Sequence, residues 1–323
     1  MIRLKFIIIL IASLLTFSCV QLRSLEILPA KPVPINRVLR TEVEQGLLSV
    51  RFLGLHQLGI KNGDSTLVIT PNGKTLLIDA GSGKDHPRLS AMLKEAGVET
   101  LDQVVFTHFH GDHTGDMARL AEDFIIGQVL MLDFPKAEGL SAGERAEILA
   151  VLEKKEIPYG YLSTGDTLEI DAEVKLVCLS PDNPVQYDAT VVDERTATIF
   201  ENQYSLVFQL QYRDQGFLFS GDIYKDTEYE LIQRYGDRLR SDVLKVPHHG
   251  LSTSSSTAFL LAVQPSLSVV LSGEPTESTL NSLRNRNRTL TTVAYGTILV
   301  MSDGNNLQVI TEHDDTTRGI YGE

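Results

Sequence analysis

The stretch Thr107-His108-Phe109-His110-Gly111-Asp112-His113 decides how this chain folds and what it binds. It follows the apolar run Gln103-Val104-Val105-Phe106, which is typical of a short buried strand. At the end of such a strand the chain enters a loop, and His108 and His110, two residues apart, point to the same side. Three imidazoles and a carboxylate in so short a loop predict a metal site.

The second half of the stretch predicts that two ions lie side by side. A helix opening near Thr114 places Asp112 and His113 in its first residues, next to the preceding histidines. Neutral imidazole and carboxylate suit Zn(II), and additional oxygen ligands also suit Mn(II) or Fe(II). A surface cluster of histidines without a metal is the alternative, which the tight spacing disfavours. We expect one or two ions of Zn(II) or Mn(II) per chain.

Three further apolar runs end on residues of the same chemical kind. Asp79 follows such a run directly, Asp222 follows one after Ser220-Gly221, and the pair His248-His249 follows one after Pro247. A single aspartate after a strand is common in turns and carries little weight alone. Four strand ends that all bear ligand-type residues predict one shared site.

Five segments together resemble a known family: Asn62-Gly63-Asp64-Ser65-Thr66-Leu67, Leu77-Ile78-Asp79-Ala80-Gly81, the histidine loop, Ser220-Gly221-Asp222-Ile223 and Leu244-Lys245-Val246-Pro247-His248-His249-Gly250. The histidine loop resembles the HxHxDH signature of the metallo-beta-lactamase superfamily. The whole set is similar to the ComEC type of this domain, the hydrolase module of bacterial DNA-uptake proteins and their free-standing relatives. The resemblance covers about residues 48–311. It implies an α/β fold, the αββα sandwich of the superfamily.

The resemblance also implies a role for each candidate residue. The implied metal ligands are His108, His110, Asp112, His113, Asp222 and His249. Asp222 would bridge the two ions, and Asp79 would lie behind them and orient a ligand histidine through its second ring nitrogen. One histidine of the pair His248-His249 would complete the second metal site, while the other faces the substrate and donates a proton to the leaving group. The candidate catalytic residues are Asp112, His248 and His249.

The chain departs from the family pattern at three places. Asn202 stands where the superfamily has the third histidine of its first metal site; an amide oxygen is a weaker ligand, so this site is expected to be the looser one. Lys61 alters the turn before Asp64, where the family usually has Gly-Gln-Gly-Asp. Residues 272–276 lack the Asn-x-Tyr-Gly-His-Pro segment. The nuclease activity of the family therefore does not carry over directly.

Basic residues near the motifs are candidates for holding a phosphate. Lys245 is the candidate substrate-binding residue, because an ammonium beside the metals can pair with a phosphate oxygen. Arg284, Arg286 and Arg288 form a basic run whose alternative interpretation is a solvated helix face.

Composition indicates an acidic globular protein. Of the 323 residues, 42% are hydrophobic and 22% charged, which is enough to build a core. The net charge is −13, and loss of a leader containing Arg3 and Lys5 would bring it to −15. Bulk electrostatics would repel polyanions, so any contact with nucleic acid would be local.

The N-terminus predicts export. Residues 1–19 have the pattern of a signal peptide, with two basic residues before the apolar run 6–15. An uncleaved anchor is the alternative. The segment Leu15-Thr16-Phe17-Ser18-Cys19 loosely resembles a bacterial lipobox, which makes Cys19 a candidate for lipidation and membrane anchoring. We expect a periplasmic, secreted or lipid-anchored protein.

The remaining pattern divides the chain into a linker, a domain and a tail. Residues 20–46 contain three prolines without clear periodicity and predict a linker, residues 47–311 the hydrolase domain, and residues 312–323 a disordered tail. Within the domain, hairpins such as the one at Asn72-Gly73 mix with alternating strands and helices, which indicates sheets covered by helices. Cys178, the only cysteine after Cys19, lies in an apolar run and is predicted to be in the core.

The predicted reaction is hydrolysis by a metal-bound hydroxide. A phosphodiesterase or nuclease is favoured, acting on nucleic acid or on a phosphate ester of the envelope such as phosphocholine, with no obligate protein partner. Amide or ester hydrolysis, including that of β-lactams, is a second enzymatic alternative. A surface binding module with little or no catalysis is an alternative from another class, which the missing third histidine favours.

Overall fold

The computed structural model describes residues 25–27, 38–39, 46–55, 63–134, 142–185, 193–271, 273 and 275–313. The predicted signal peptide, Cys19, Lys61 and the last ten residues of the predicted tail lie outside them. Within this part of the chain, no helix combines the length and apolar character that crossing a membrane requires.

Two large sheets form the centre of the described structure. The first has nine strands, in the spatial order β1 (Leu25–Ile27), β18 (Leu307–Thr311), β17 (Ile298–Ser302), β2 (Leu48–Phe52), β3 (Thr66–Ile69), β4 (Thr75–Ile78), β6 (Gln103–Val105), β8 (Val129–Met131) and β9 (Tyr159–Tyr161). The second has seven, in the order β10 (Thr167–Glu169), β11 (Val174–Ser180), β12 (Val207–Tyr212), β13 (Gln215–Phe219), β14 (Val243–Lys245), β15 (Leu267–Val270) and β16 (Arg288–Thr291). A small sheet pairs β5 (Thr100–Leu101) with β7 (Ile125–Ile126).

Helices connect and cover these sheets. In chain order they are α1 (His86–Glu95), α2 (Gly111–Thr114), α3 (Met117–Asp123), α4 (Ala142–Lys154), α5 (Glu194–Gln203), α6 (Lys225–Tyr235), α7 (Thr257–Val263), α8 (Glu277–Arg284) and α9 (Thr292–Tyr295). Two 3-10 turns occupy Gly236–Leu239 and Pro247–Gly250.

The alternation of side chains along the strands builds the layers. On β13, Phe217 and Phe219 face the first sheet, where the Phe219 ring lies 6.2 Å from that of Phe52. Leu218, between them, belongs to a second buried cluster with Leu231 of α6 and residues of α7 and α8. Each sheet thus packs one face on the other sheet, and the second sheet buries its outer face under helices. This is the predicted metallo-beta-lactamase sandwich.

Strand direction places the ligand-bearing loops together. β4 runs parallel to β6 in the first sheet, and β13 runs parallel to β14 in the second. The carboxyl ends of all four strands lead into the loops that the sequence singles out. Because the two sheets face each other, these four loops meet at one edge of the sandwich.

The predicted hairpin and the predicted core cysteine are both present. The hairpin at Asn72-Gly73 joins β3 and β4 in antiparallel register. Cys178 is 2% exposed, and burial raises the pKa of its thiol to about 12, as expected of a core cysteine. Helix α5 was not predicted, although Asp193 and Thr196 form a capping box at its start.

Part of the segment predicted to be a linker is structured. Leu25–Ile27 form β1, which pairs in parallel with β18. Val38 and Leu39 are buried, and the side chain of Arg51 donates a hydrogen bond to the carbonyl of Val38. Residues before the predicted domain boundary therefore contribute to the core and to the edge of the first sheet.

Candidate metal centre

The first two histidines converge as the sequence predicts. His108 Nε2 and His110 Nδ1 are 3.1 Å apart, so both can point at one ion. The other ring nitrogens are held from behind: His108 Nδ1 lies 3.1 Å from Thr107 Oγ1, and His110 Nε2 lies 3.2 Å from a carboxylate oxygen of Glu201. The two rings are thereby fixed in orientation by neighbours that do not compete for the ion.

His113 is held by Asp79. The Nδ1 atom of His113 lies 2.9 Å from Asp79 Oδ2, and the backbone and hydroxyl of Thr107 donate hydrogen bonds of 2.7 and 2.8 Å to the same carboxylate. Burial opposes a charge on His113, but Asp222 and Asp79 outweigh it and raise the pKa of His113 well above its usual value. A metal would displace that proton and take over the charge balance.

His249 is held in the same way by Asp64. The Nδ1 atom of His249 lies 3.1 Å from Asp64 Oδ1, and its Nε2 atom points to the carboxylates of Asp112 at 3.4 Å and Asp222 at 3.2 Å. Burial opposes a charge here too, but Asp222 and Asp64 raise the pKa of His249 well above its usual value. This geometry places His249, rather than His248, among the candidate ligands.

Asp222 lies where the candidate ligands meet. Its Oδ2 atom is 3.4 Å from His113 Nε2 and 3.2 Å from His249 Nε2. Three groups of residues have ligand atoms within 4.8 Å of one another, and Asp222 belongs to two of them: His108, His113 and Asp222; Asp112, His113 and His249; Asp64, Asp222 and His249. A carboxylate in this position fits the bridging role that the resemblance implies.

The donor set fits a divalent metal. The Nε2 atom of His113 is buried and lies 3.4 Å from Asp222 Oδ2 without meeting the geometry of a hydrogen bond, while Asp79 holds Nδ1. Once a metal has displaced the proton, Nε2 would direct its lone pair into a cluster of carboxylates and imidazoles. Such an atom is costly to bury unless it binds a cation. The predicted ligands in these groups, which would hold a divalent metal, are His108, Asp112, His113, Asp222 and His249. His110 is in none of the groups, but its Nδ1 atom lies 3.1 Å from His108 Nε2 and can join them.

Lys245 lies beneath the ligands rather than at the surface. Its side chain is 4% exposed, and its ammonium contacts Asp64 Oδ2 and lies 3.4 Å from Asp222 Oδ1. It also donates a 2.9 Å hydrogen bond to the carbonyl of Gly221. The predicted role in substrate binding does not agree with this position, because the ammonium is already paired and enclosed. Lys245 is instead an internal counter-ion, because its ammonium pairs with Asp64 and with the Oδ1 atom of Asp222. The Oδ2 atom of Asp222 faces the candidate ligands His113 and His249.

His248 lies outside the candidate ligand groups of the described residues. Its Nδ1 atom is 2.6 Å from Thr253 Oγ1, and its ring stacks on Tyr224 with centroids 5.0 Å apart. Asn202, 2% exposed, directs its amide nitrogen to the Tyr224 hydroxyl at 3.1 Å and to His248 Nε2 at 3.5 Å. Asn202 therefore contacts His248, which is in none of the candidate ligand groups of the described residues.

Strained backbone supports the loops. Asp79, His248 and His249 have φ of 59°, 49° and 51°, in the left-handed region that side chains rarely adopt. Gly63 carries Asp64 into the site, and a Cβ there would lie 2.2 Å from the Asp112 carbonyl oxygen. Only glycine permits this close approach between the two loops. Such strain is concentrated at functional sites in many proteins.

Two functional candidates were not predicted. Asp64 was quoted as part of a motif, but not as the residue that orients His249. Glu201, 2% exposed, was overlooked because helix α5 was not predicted. The capping box at its start and the apolar spacing of Ala197 and Phe200 are the signals that identify this helix.

Comparison with known proteins agrees with this geometry. Residues 58–274, more than half of the chain, match the family model of the metallo-beta-lactamase superfamily. ComE operon protein 3 of Bacillus subtilis strain 168 is 27% identical over 269 residues, 75% of this chain and 32% of that protein. Competence protein ComA of Neisseria gonorrhoeae is 29% identical over 229 residues, 69% of this chain and 28% of that protein.

A third relative is described as a metal-dependent hydrolase. This protein, from Thermodesulfovibrio yellowstonii, is 32% identical over 143 residues, 41% of this chain and 46% of its own length. The chain spans about a third of the two competence proteins. With the family model, the fold and the clustered ligands in agreement, the chain belongs to the metallo-beta-lactamase superfamily, with the candidate ligand groups of a metal-dependent hydrolase.

Proposed function

We propose that this protein is an exported phosphodiesterase that depends on one or two divalent metal ions. The observation that carries the proposal is the position of Asp222, whose Oδ2 atom lies within 3.4 Å of both His113 Nε2 and His249 Nε2. A carboxylate there can hold two ions close enough to act on one phosphate.

The residues around that carboxylate would have separate roles. Divalent ions, when bound by these residues, would supply hydroxide at neutral pH and neutralise charge on the attacked group. Asp79 and Asp64 hold His113 and His249 with their Nε2 atoms directed inward. Asp112, which is partly exposed, lines the open cavity. His248, outside the ligand set, would be the proton donor to the leaving group.

One observation supports the phosphodiester class, and a second bears on the size of the substrate. The similarity to competence proteins favours a substrate related to nucleic acid. An open cavity of about 500 Å³ beside His110 and Asp112 is lined by Glu144, Glu194 and Glu201. Carboxylates there would repel a long polyanion, so a small phosphate ester of the envelope is the better fit at this side.

The test is hydrolysis of bis(p-nitrophenyl) phosphate by protein purified without chelator and supplied with Mn(II) or Zn(II). We expect metal-dependent turnover that EDTA abolishes and that the Asp222→Asn variant lacks. Single-stranded DNA and p-nitrophenyl phosphorylcholine, assayed in parallel, separate a nuclease from an enzyme for small envelope esters. Absence of turnover on all three substrates would refute the proposal.

A non-catalytic binding module is the second candidate. Asn202 in place of an imidazole favours it, because a first metal site with fewer strong ligands binds its ion weakly. Metal content near zero in the purified protein, together with no turnover, is the result that would favour this candidate. Nitrocefin hydrolysis would instead indicate the amide-hydrolase alternative.

Export and lipid anchoring are proposed from the N-terminal pattern. We expect the protein to be found outside the cytoplasm, with a mature N-terminus at or near Cys19. Fractionation of cells expressing the wild type and Cys19→Ala tests this: a lipid anchor predicts that only the wild type is recovered with membranes.

A further inference from the structure

The basic run Arg284, Arg286 and Arg288 lies at the edge of the sandwich opposite the metal centre. Strands β13, β14, β15 and β16 run parallel, and β13 ends shortly before Asp222. The edge at which these strands end is therefore the metal edge. Arg288 is the first residue of β16, and Arg284 is the last residue of α8, which leads the chain to it. A strand of four residues is about 13 Å long, so the run lies away from a phosphate held at the metal centre.

Two more arginines join the run at the edge opposite the metal centre. After α6, the turn Gly236–Leu239 and Arg240 lead the chain into the start of β14. The backbone N–H of Arg288 donates to the carbonyl of Ser266 at 3.3 Å, and the N–H of Ser266 donates to the carbonyl of Asp242 at 2.9 Å. The starts of β14, β15 and β16 therefore lie side by side, about 4.8 Å apart. The five residues that we call the arginine edge are Arg238, Arg240, Arg284, Arg286 and Arg288.

The arginine edge carries an excess of positive charge on an acidic protein. The three segments that lead into these strands, residues 236–242, 264–266 and 284–288, contain five arginines and two aspartates, whereas the whole chain has 42 acidic and 29 basic residues. Further along the same edge, Arg213 is paired with Glu173. Four members of the arginine edge are exposed and form no ion pair with a carboxylate of the described residues: Arg238, Arg240, Arg284 and Arg286. Their charge is available to an external anion.

The N-terminal strand enters the sandwich at the same edge. β1 runs parallel to β18, and β18, β17, β2, β3 and β4 alternate in direction. β1 therefore runs in the same direction as β4, towards the metal edge. Leu25, the first residue of β1, lies at the opposite edge. Cys19, the candidate for lipidation, precedes Leu25 by six residues in the sequence.

The packing of the two sheets brings the start of β1 to the corner that carries the arginine edge. Asn72, between β3 and β4, donates to the carboxylate of Asp171, which lies before β11. Arg213, between β12 and β13, donates to the carbonyl of Asp303, which lies between β17 and β18. The strand orders of the two sheets therefore run side by side, with β14 to β16 on the same side of the sandwich as β18 and β1.

We propose that the arginine edge docks on the surface of an anionic phospholipid membrane and directs the metal centre away from it. Each arginine close to such a surface adds to the attraction, and the effect is limited to about 8 Å at physiological ionic strength. Acidic residues at the metal edge are farther from the membrane than this and do not cancel it. The choice of a membrane, rather than another polyanion, rests on the proposed lipid anchor at Cys19, because six residues span at most about 21 Å and hold this corner near the bilayer.

Binding is tested by co-sedimentation of the full chain carrying Cys19→Ala, so that no lipid anchor contributes. We expect binding to phosphatidylcholine vesicles that contain about 30% phosphatidylglycerol, and much weaker binding to pure phosphatidylcholine. About 0.5 M NaCl should abolish the difference between the two vesicles. The N-terminal leader is common to all variants, so differences among them isolate the arginines.

The variant that removes the charge is Arg240→Gln/Arg284→Gln/Arg286→Gln. We expect it to lower the partition coefficient on the anionic vesicles by about 10- to 100-fold, because three cations near the surface are lost. The matched control removes three exposed cations elsewhere and should stay within about threefold of the wild type. It is Lys84→Gln/Arg119→Gln/Arg195→Gln.

The orientation is tested with an environment-sensitive fluorophore on a single introduced cysteine. Asn285→Cys places it within the arginine edge, and Thr198→Cys places it in the cavity beside the metal centre. Cys178 is 2% exposed and does not compete for the label. On anionic vesicles we expect a blue-shifted emission at position 285 only. A shift at position 198 only would overturn the proposed orientation.

This proposal and the proposed function fail separately. Equal binding of the wild type and the triple arginine variant to anionic vesicles would overturn the docking proposal. Arginine-dependent binding of single-stranded DNA without binding to anionic vesicles would also overturn it and would identify a nucleic-acid surface instead. Hydrolysis of soluble bis(p-nitrophenyl) phosphate should be the same in the wild type and the triple arginine variant. Absence of turnover in both would refute the phosphodiesterase and leave the docking surface in place.

Discussion

The two halves of the candidate metal centre differ in their ligands and in the groups that hold those ligands. The second half has Asp112, His113 and His249, and each of its histidines is held by a buried carboxylate. The first half has His108 and His110, which are held by a hydroxyl and by Glu201, and has Asn202 where a third imidazole is expected. Asp222 connects the halves. The half with more strong ligands is also the half whose histidines are held by buried carboxylates. We therefore expect the second half to bind its ion more tightly than the first.

The most severe test of this comparison removes the residue that both halves share. We expect Asp222→Asn to lower kcat/KM on bis(p-nitrophenyl) phosphate by about a thousandfold, a loss of roughly 4 kcal/mol in transition-state stabilisation. Metal content by elemental analysis should fall in the same variant. Wild-type activity and metal content in Asp222→Asn would show that the halves are independent.

A second test removes the counter-ion beneath the centre. Lys245→Met leaves Asp64 and Asp222 buried without their ammonium, which should lower the free energy of unfolding in EDTA by about 3–5 kcal/mol. Added Zn(II) should recover part of that loss, because the ion then neutralises the same carboxylates. Lys175→Met, at an exposed position on β11, is the control. Urea denaturation with equal effects of both substitutions would contradict the role given to Lys245.

A third test weakens the supports of the second half alone. Asp79→Asn and Asp64→Asn should each reduce affinity for the more tightly bound ion by about 10- to 100-fold, because the amide holds the histidine less firmly. Calorimetric metal titration measures this. Reduced affinity for the weaker ion only would reverse the assignment of tight and loose halves.

The smallest effects are expected in the first half. Glu201→Gln should weaken the looser ion by about tenfold, the lower limit for a supporting residue. Asn202→His should strengthen it by about tenfold, or 1.4 kcal/mol, by supplying the missing imidazole. The same calorimetric titration measures both changes. If the affinity for the weaker ion is unchanged in both variants, the first half holds no ion.

The local part of the site was predictable from the sequence. His108, His110, Asp112 and His113 lie within one short loop, so their spacing alone brings their side chains together. Asp79 and Asp222 were identified because each follows an apolar run, and a strand that ends in a loop presents its next residues at the sheet edge. The resemblance supplied the order of these motifs and hence the sandwich fold.

Tertiary structure decided the rest. His249 meets Asp64 across 185 residues of chain, and Glu201 reaches His110 from a helix that the sequence did not predict. Lys245 was expected at the substrate and lies buried between carboxylates, because the parallel pairing of β13 with β14 carries it under Asp222. Spacing along the chain determines which ligands can form a site by themselves. The packing of the two sheets determines which neighbours hold those ligands. These contacts join residues far apart in the chain, so no repeating pattern in the sequence indicates them.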